Sequence, residues 1–149
     1  MKFDIFYQLP EAANQITTER YRELIAEAAE ADRLGFNTVW LAEVHFAPRF
    51  SVIPTPLLLL AAIAERTSNI RLGMAVNLMP LHHPIRLADE IATLDVLSGG
   101  RVEFGAGRGA FTLERPHTRC VTEKAALCVC DAIAEPSPTG GYARRPPLP

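Results

Sequence analysis

Gly35-Phe36-Asn37-Thr38-Val39-Trp40-Leu41-Ala42-Glu43-Val44-His45-Phe46 decides how this chain is read. Gly35 stands where a helix ends, the apolar run to Leu41 reads as a buried strand, and a carboxylate and an imidazole follow at once. Reacting groups of parallel α/β proteins gather beyond the carboxyl ends of the strands. Glu43 and His45 occupy such an end.

The same pattern extends on both sides of this stretch. Lys2 to Gln8 alternates as a first strand, and Thr18 suits an N-cap for a helix carrying Tyr21, Leu24, Ile25, Ala28 and Ala31 on one face. The second strand is Asn37 to Ala42. Thr55-Pro56 then reads as N-cap and first residue of a helix through Arg66, apolar almost all round, as expected of a helix buried between neighbours. A third strand spans Ile70 to Leu78. Pro84 opens a third helix with Ile85, Ala88, Ile91, Ala92 and Val96 inward, Ser98-Gly99-Gly100 stops it, and Val102 to Ala106 forms a fourth strand. The strands begin at residues 2, 37, 70 and 102. That steady beat means βαβ units and a parallel sheet. An eight-unit (β/α)8 barrel takes roughly 250 residues, so the expected fold is α/β, the first half of a TIM barrel with four parallel strands and three helices.

Beyond residue 110 the beat fails. Residues 111–149 hold six of the twelve prolines and all three cysteines, and read as an irregular tail after a 1–110 partial barrel. Loss of the reading frame near residue 111 would produce such a tail. His117, Cys120, Cys128 and Cys130 lack the paired spacing typical of zinc sites, and incidental thiols are the expected reading, with no metal.

The chain has 149 residues, 48% hydrophobic and 21% charged, with a formal net charge of −2. Neither nucleic acid nor an anionic membrane is an expected partner at that charge. Val52 to Ala64, the most apolar stretch, is broken by Pro54 and Pro56 and does not suit a bilayer span. Asp4 interrupts the first apolar run, unlike a secretory signal, so a cytoplasmic protein is expected.

At the strands' carboxyl ends the sequence offers Gln8, then Glu43 and His45, then Asn77, then Arg108 within Gly105-Ala106-Gly107-Arg108-Gly109. A carboxylate two residues before a histidine can orient the ring or tune its pKa. The glycines either let backbone approach a planar or phosphorylated ligand or make a tight turn. His82 and His83, ahead of Pro84, read first as cap and loop residues and second as ligands. Ser98 to Arg101 falls at the opposite, stability face.

Gly35-Phe36-x-x-Val39-Trp40-x-x-Glu43-x-His45-Phe46 resembles the second-strand signature of bacterial-luciferase-like flavin monooxygenases. Leu60 to Ala64, Thr67 to Gly73, Pro80-Leu81-His82-His83-Pro84-x-Arg86-x-Ala88, Leu94 to Arg101 and Phe104-Gly105-x-Gly107-Arg108-Gly109 continue the resemblance in register. It implies a TIM barrel that uses O2 and reduced FMN, the latter supplied by a flavin reductase, to oxidise a small organic substrate. A deazaflavin F420 oxidoreductase is the nearest alternative. By position, Arg108, with Gly107, would contact the flavin's phosphate end, and Glu43 and His45 would face the reaction chamber as the catalytic pair. Ala75-Val76, followed by Asn77, matches a family site where a non-prolyl cis peptide lies beneath the isoalloxazine. The resemblance also implies a homodimer formed through helices of this same region.

Luciferase itself carries adjacent histidines after the glutamate, and the first of these is Val44 here. That argues against the light-emitting aldehyde reaction and leaves monooxygenase chemistry in place. The later strands of the family barrel have no counterpart in the sequence, so the reading is an enzyme lineage with impaired function in this chain. An inactive half-barrel that only self-associates is the competing reading.

Overall fold

A computed structural model describes residues 1–11 and 16–109. The tail, with its cysteines, its suggested frame change and the zinc question, lies outside the described residues.

Four parallel strands form the main sheet: β1 (Asp4–Tyr7), β2 (Thr38–Leu41), β3 (Arg71–Met74) and β5 (Val102–Glu103), in the order β1-β2-β3-β5. A second, two-stranded parallel sheet pairs β4 (Asn77–Leu78) with β6 (Ala106–Gly107). Three helices connect the strands: α1 (Thr17–Arg33), α2 (Pro56–Ala64) and α3 (Pro84–Leu97). The expected alternation of strand and helix is therefore the observed one, and the architecture is parallel α/β.

Strand register separates the two faces of the sheet. Ile5, Val39, Leu72 and Val102 align across it, and with Tyr7, Leu41 and Met74 they join the core formed with the helices. Successive side chains of a strand point to opposite faces. The other row holds Asp4, Phe6, Thr38, Trp40, Arg71, Gly73 and Glu103. There Trp40 Nε1 donates to Asp4 Oδ2 at 3.2 Å, and Arg71 pairs with Glu103. The Trp40 ring lies where a Cβ on Gly73 would stand, so only glycine fits beneath it.

Helix boundaries correct several expectations. α1 begins at Thr17 after Ile16, whose carbonyl accepts from Glu19 and Arg20 N–H, so Thr18 lies inside the helix rather than capping it. α2 ends at Ala64 and is not buried all round. Leu60, Ile63 and Ala64 are buried, whereas Leu58 is 72% exposed. The inward stripe of α3 is Leu87, Ala88, Ile91, Ala92 and Leu94, while Ile85 and Val96 face outward. Positions 87, 91 and 94 share one helical face and 88 and 92 flank it, so packing selected the stripe centred on Ile91.

Both long strands are interrupted. The expected run from Ile70 to Leu78 divides at Ala75-Val76, whose connecting peptide bond is cis. The expected run from Val102 to Ala106 divides likewise into β5 and β6.

The amino-terminal edge of the sheet is held by two polar clamps. Asp32 at the end of α1 accepts backbone N–H groups from Ser68, Asn69 and Ile70 at 2.8, 3.0 and 2.6 Å. Arg101 donates to Ser98 O, Ile70 O, Ala64 O, Thr67 O and Thr67 Oγ1, all within 3.0 Å. The last carbonyls of a helix lack intrahelical partners, and the guanidinium reaches one of them at the end of α2. Gly99 and Gly100, at φ +68° and +85°, turn the chain after α3. The expectation of a structural role for Ser98 to Arg101 is the observed one.

Candidate functional site

β2 ends at Leu41, and two residues later the Glu43 side chain is fully buried. Its Oε1 lies 2.7 Å from His45 Nε2 and 2.8 Å from His82 Nε2. Its Oε2 is 3.0 Å from His82 Nε2 and accepts the Leu78 backbone N–H at 2.8 Å. One carboxylate thus joins the exit of β2, the residue after the cis segment, and the loop before α3.

Burial is the largest influence on Glu43 and pushes its pKa up. The hydrogen bonds from His82, His45 and the Leu78 N–H together outweigh it, and the pKa lies below the usual value. A buried carboxylate persists as an anion when such donors surround it. The hydrogen bond to Glu43 raises the pKa of His82, against the opposing pull of burial. Both imidazoles keep about a fifth of their side-chain surface exposed, so each borders open space on its far side.

The backbone around the pair is closely tied. Val44 N–H donates to Ile53 O at 3.0 Å, closing the loop between β2 and α2 at its base, and Val52 N–H donates to Leu9 O at 2.7 Å, tying that loop to the chain after β1. Within that loop Phe46 has φ 57° and is exposed, with its ring centroid 6.0 Å from that of His45. A positive φ at an aromatic residue is uncommon and belongs to positions fixed by their surroundings.

Of the residues expected at the rim, Glu43 and His45 are brought together. Ala75 and Val76 flank the cis bond and are half-buried. Gly105 and Gly107 pack against that segment: a Cβ on Gly105 would meet Met74 O, and one on Gly107 would meet Val76 Cγ2. The glycine run therefore serves close backbone approach within the protein itself. Arg108 follows at an exposed position. Asn77 is fully buried, its Nδ2 is 3.1 Å from Met74 Sδ, and its Oδ1 has no hydrogen-bond partner among the described residues. Asn77 is among the residues lining a cavity of about 480 Å³ between α2 and α3, also bordered by His82, Leu58, Arg86, Glu90 and Leu97.

His82 is the residue whose part in the cluster the sequence understated. It lies 39 positions from Glu43, so no local spacing joins them. The one signal was the pair of histidines before a helix-opening proline, which sequence reasoning placed second as ligands.

Among the described residues, no helix is long and apolar enough to cross a membrane. A family model described as luciferase-like monooxygenase matches residues 1–119. The oxygenase component of the flavin-dependent trigonelline monooxygenase of Acinetobacter baylyi is 37% identical over 115 residues, covering 76% of this chain and 32% of that protein. The structure of the monooxygenase RslO1 from Streptomyces bottropensis superposes with a TM-score of 0.79 at 29% identity, covering 91% of this chain and 44% of that one. The coenzyme F420-dependent tetrahydromethanopterin reductase of Methanopyrus kandleri also shares the fold, at 29% identity and a TM-score of 0.55, covering 78% of this chain and 29% of that one. The chain spans about a third of the length of the curated relatives it matches.

Proposed function

The chain belongs to the luciferase-like monooxygenase family, and on that premise we propose that it serves an FMN-dependent monooxygenase acting on a small organic substrate with O2. The observation that carries this reading is the buried Glu43 carboxylate, which holds two imidazoles beside the Ala75-Val76 cis peptide at the carboxyl end of the sheet. Reduced flavin supplies the reaction with dioxygen; the protein binds, orients and shields. His45, oriented by Glu43, is the group placed to hold or move a proton at the rim. Ala75, Val76 and Asn77 would hold the flavin ring, and Gly107 and Arg108 would take its phosphate end, where a fixed guanidinium charge suits a dianion.

The similarity to an oxygenase component supports a separate flavin reductase as partner. A second copy of the chain is the other partner we propose. Leu58, Ile85, Val96 and Leu97 are exposed on α2 and α3, and Arg86 lies near Asp89 and Glu90, so the surface carries both apolar area and opposite charges. A two-fold contact requires such self-complementarity.

Titration with FMN and with F420, followed by flavin fluorescence, tests the cofactor. Binding of FMN in preference to F420, weakened by Arg108→Ala, supports the reading. Binding of F420 alone would transfer the chain to the deazaflavin branch, which the likeness to the Methanopyrus kandleri reductase keeps in view.

A further inference from the structure

His45 and His82 reach the same carboxylate oxygen, one from the loop after β2 and the other from the loop before α3. An ionised carboxylate only accepts hydrogen bonds, so each ring must present Nε2–H to Glu43. The ring of His45 is thereby set as the Nε2–H tautomer, with the lone pair of its neutral form on Nδ1. How firmly it is set depends on how firmly Glu43 itself is held. Two groups hold Glu43 apart from His45: the Leu78 N–H on Oε2, and the His82 ring spanning both oxygens at 2.8 and 3.0 Å.

We propose that His82 is a positioning residue of the reaction centre, which fixes the Glu43 carboxylate so that Oε1 orients the His45 ring and selects its tautomer. The arrangement follows the logic by which a base is oriented by an acid, with a second imidazole bracing the acid. His82 acts from outside the rim: its ring also lines the cavity between α2 and α3. Without His82 the carboxylate would keep, besides the His45 ring itself, only the Leu78 N–H, and rotation about that anchor would loosen the bond between Oε1 and His45. The role of His45 toward substrate rests on the function proposed above; the bracing of its ring by His82 does not.

Proton NMR of the intact chain tests the bracing without cofactor or substrate. Ring N–H protons bonded to a buried carboxylate exchange slowly and resonate far downfield. The wild type is expected to show two such signals, assignable to His45 and His82. His82→Gln, which keeps an N–H donor toward Glu43, should lose the His82 signal alone. His82→Ala should lose both, with exchange of the His45 ring proton faster by about tenfold or more, as expected when a charge-assisted hydrogen bond is released. Glu43→Gln should also lose both.

A folded His82→Ala protein that retains the His45 signal at its original exchange rate would overturn the proposal. So would a wild-type spectrum with no protected His45 ring proton. If the alanine variant does not fold, His82→Asn, too short to span both oxygens, takes its place with the same expectation. FMN titration of the same samples reports separately on the proposed function, so a failure there leaves the bracing result standing.

Discussion

Glu43 Oε2 accepts the Leu78 backbone N–H at 2.8 Å, tying the end of β2 to the chain just past the Ala75-Val76 cis bond. The side chain that orients two imidazoles also fixes the segment proposed to lie under the flavin. Removing it should therefore have two effects. Glu43→Ala strands three donors in a buried place and is expected to lower stability by about 3 kcal/mol, read from urea unfolding. Flavin affinity should fall with it, and a variant of wild-type stability would show the cluster to be incidental.

The pair of Glu43 and His82 gives a defined pH window. The pKa of His82 is raised above its ordinary value of 6.5. Its contribution to stability is fully present below that value and lost as pH rises through the raised one. The pKa of Glu43 is lowered from its ordinary 4.5, so its contribution is present above that value and lost as pH falls through the lowered one. Unfolding measured from pH about 4 to 9 should show the alkaline loss in the wild type and a flatter alkaline limb in His82→Gln.

Gly107→Ala should crowd Val76 and displace the cis segment. Overpacking of this kind costs about 1–3 kcal/mol, and FMN affinity should drop if the segment floors the flavin. Combining it with Val76→Ala should recover most of the loss, because the two changes share one contact. Additive losses in the double variant would argue that the clash is relieved elsewhere.

Arg108 is exposed, so Arg108→Ala should leave thermal unfolding unchanged within about 0.5 kcal/mol. FMN affinity should fall by about tenfold or more, and more steeply than riboflavin affinity, since only FMN carries the phosphate. Equal losses for the two ligands would remove Arg108 from the phosphate site.

At the opposite edge, Arg101→Lys cannot reproduce five hydrogen bonds from one planar fork and should cost about 2 kcal/mol of stability. Asp32→Asn should cost about 1 kcal/mol, allowing for solvent screening. Burial, the largest influence on Asp32, pushes its pKa up, but the Ser68, Ile70 and Asn69 N–H groups hold it below the ordinary 3.8, so its contribution should fade only in strong acid. Neither variant should alter FMN affinity in protein that remains folded.

The order of strands and helices was legible because it is written in apolar periodicity, which packing obeys over whole elements. Gly35 and the Ser98-Gly99-Gly100 stop were legible for a local reason: both require a positive φ. The inward face of α3 was legible at Ala88, Ile91 and Ala92 but not at its margins, since Ile85 and Val96 are as apolar as Leu87 and Leu94 and only the packing of neighbouring elements decides between them. The breaks at Ala75-Val76 and after Glu103 are invisible to hydropathy; family resemblance alone pointed to the first. At the site, Glu43 and His45 were legible as sequence neighbours beyond a strand. His82 was not, because the bond that recruits it spans a whole crossover of the chain, from the exit of β2 past α2 and β3. The assignment of Asn77 and Arg108 as flavin contacts rests on resemblance, and the geometry adds that Asn77 is among the residues lining the α2–α3 cavity.

Asp32 and Arg101 grip one border of the sheet mostly through main-chain groups, with Thr67 Oγ1 the one side-chain partner, so their hold depends little on which side chains those segments carry. The opposite border is freed from that duty. The exposed positions 48–50 of the loop between β2 and α2 can accept exchanged side chains there while the anchored border keeps the strands in register. A scaffold divided in this way tolerates mutation where novelty is useful, and new specificities become reachable by short evolutionary steps or by loop grafting.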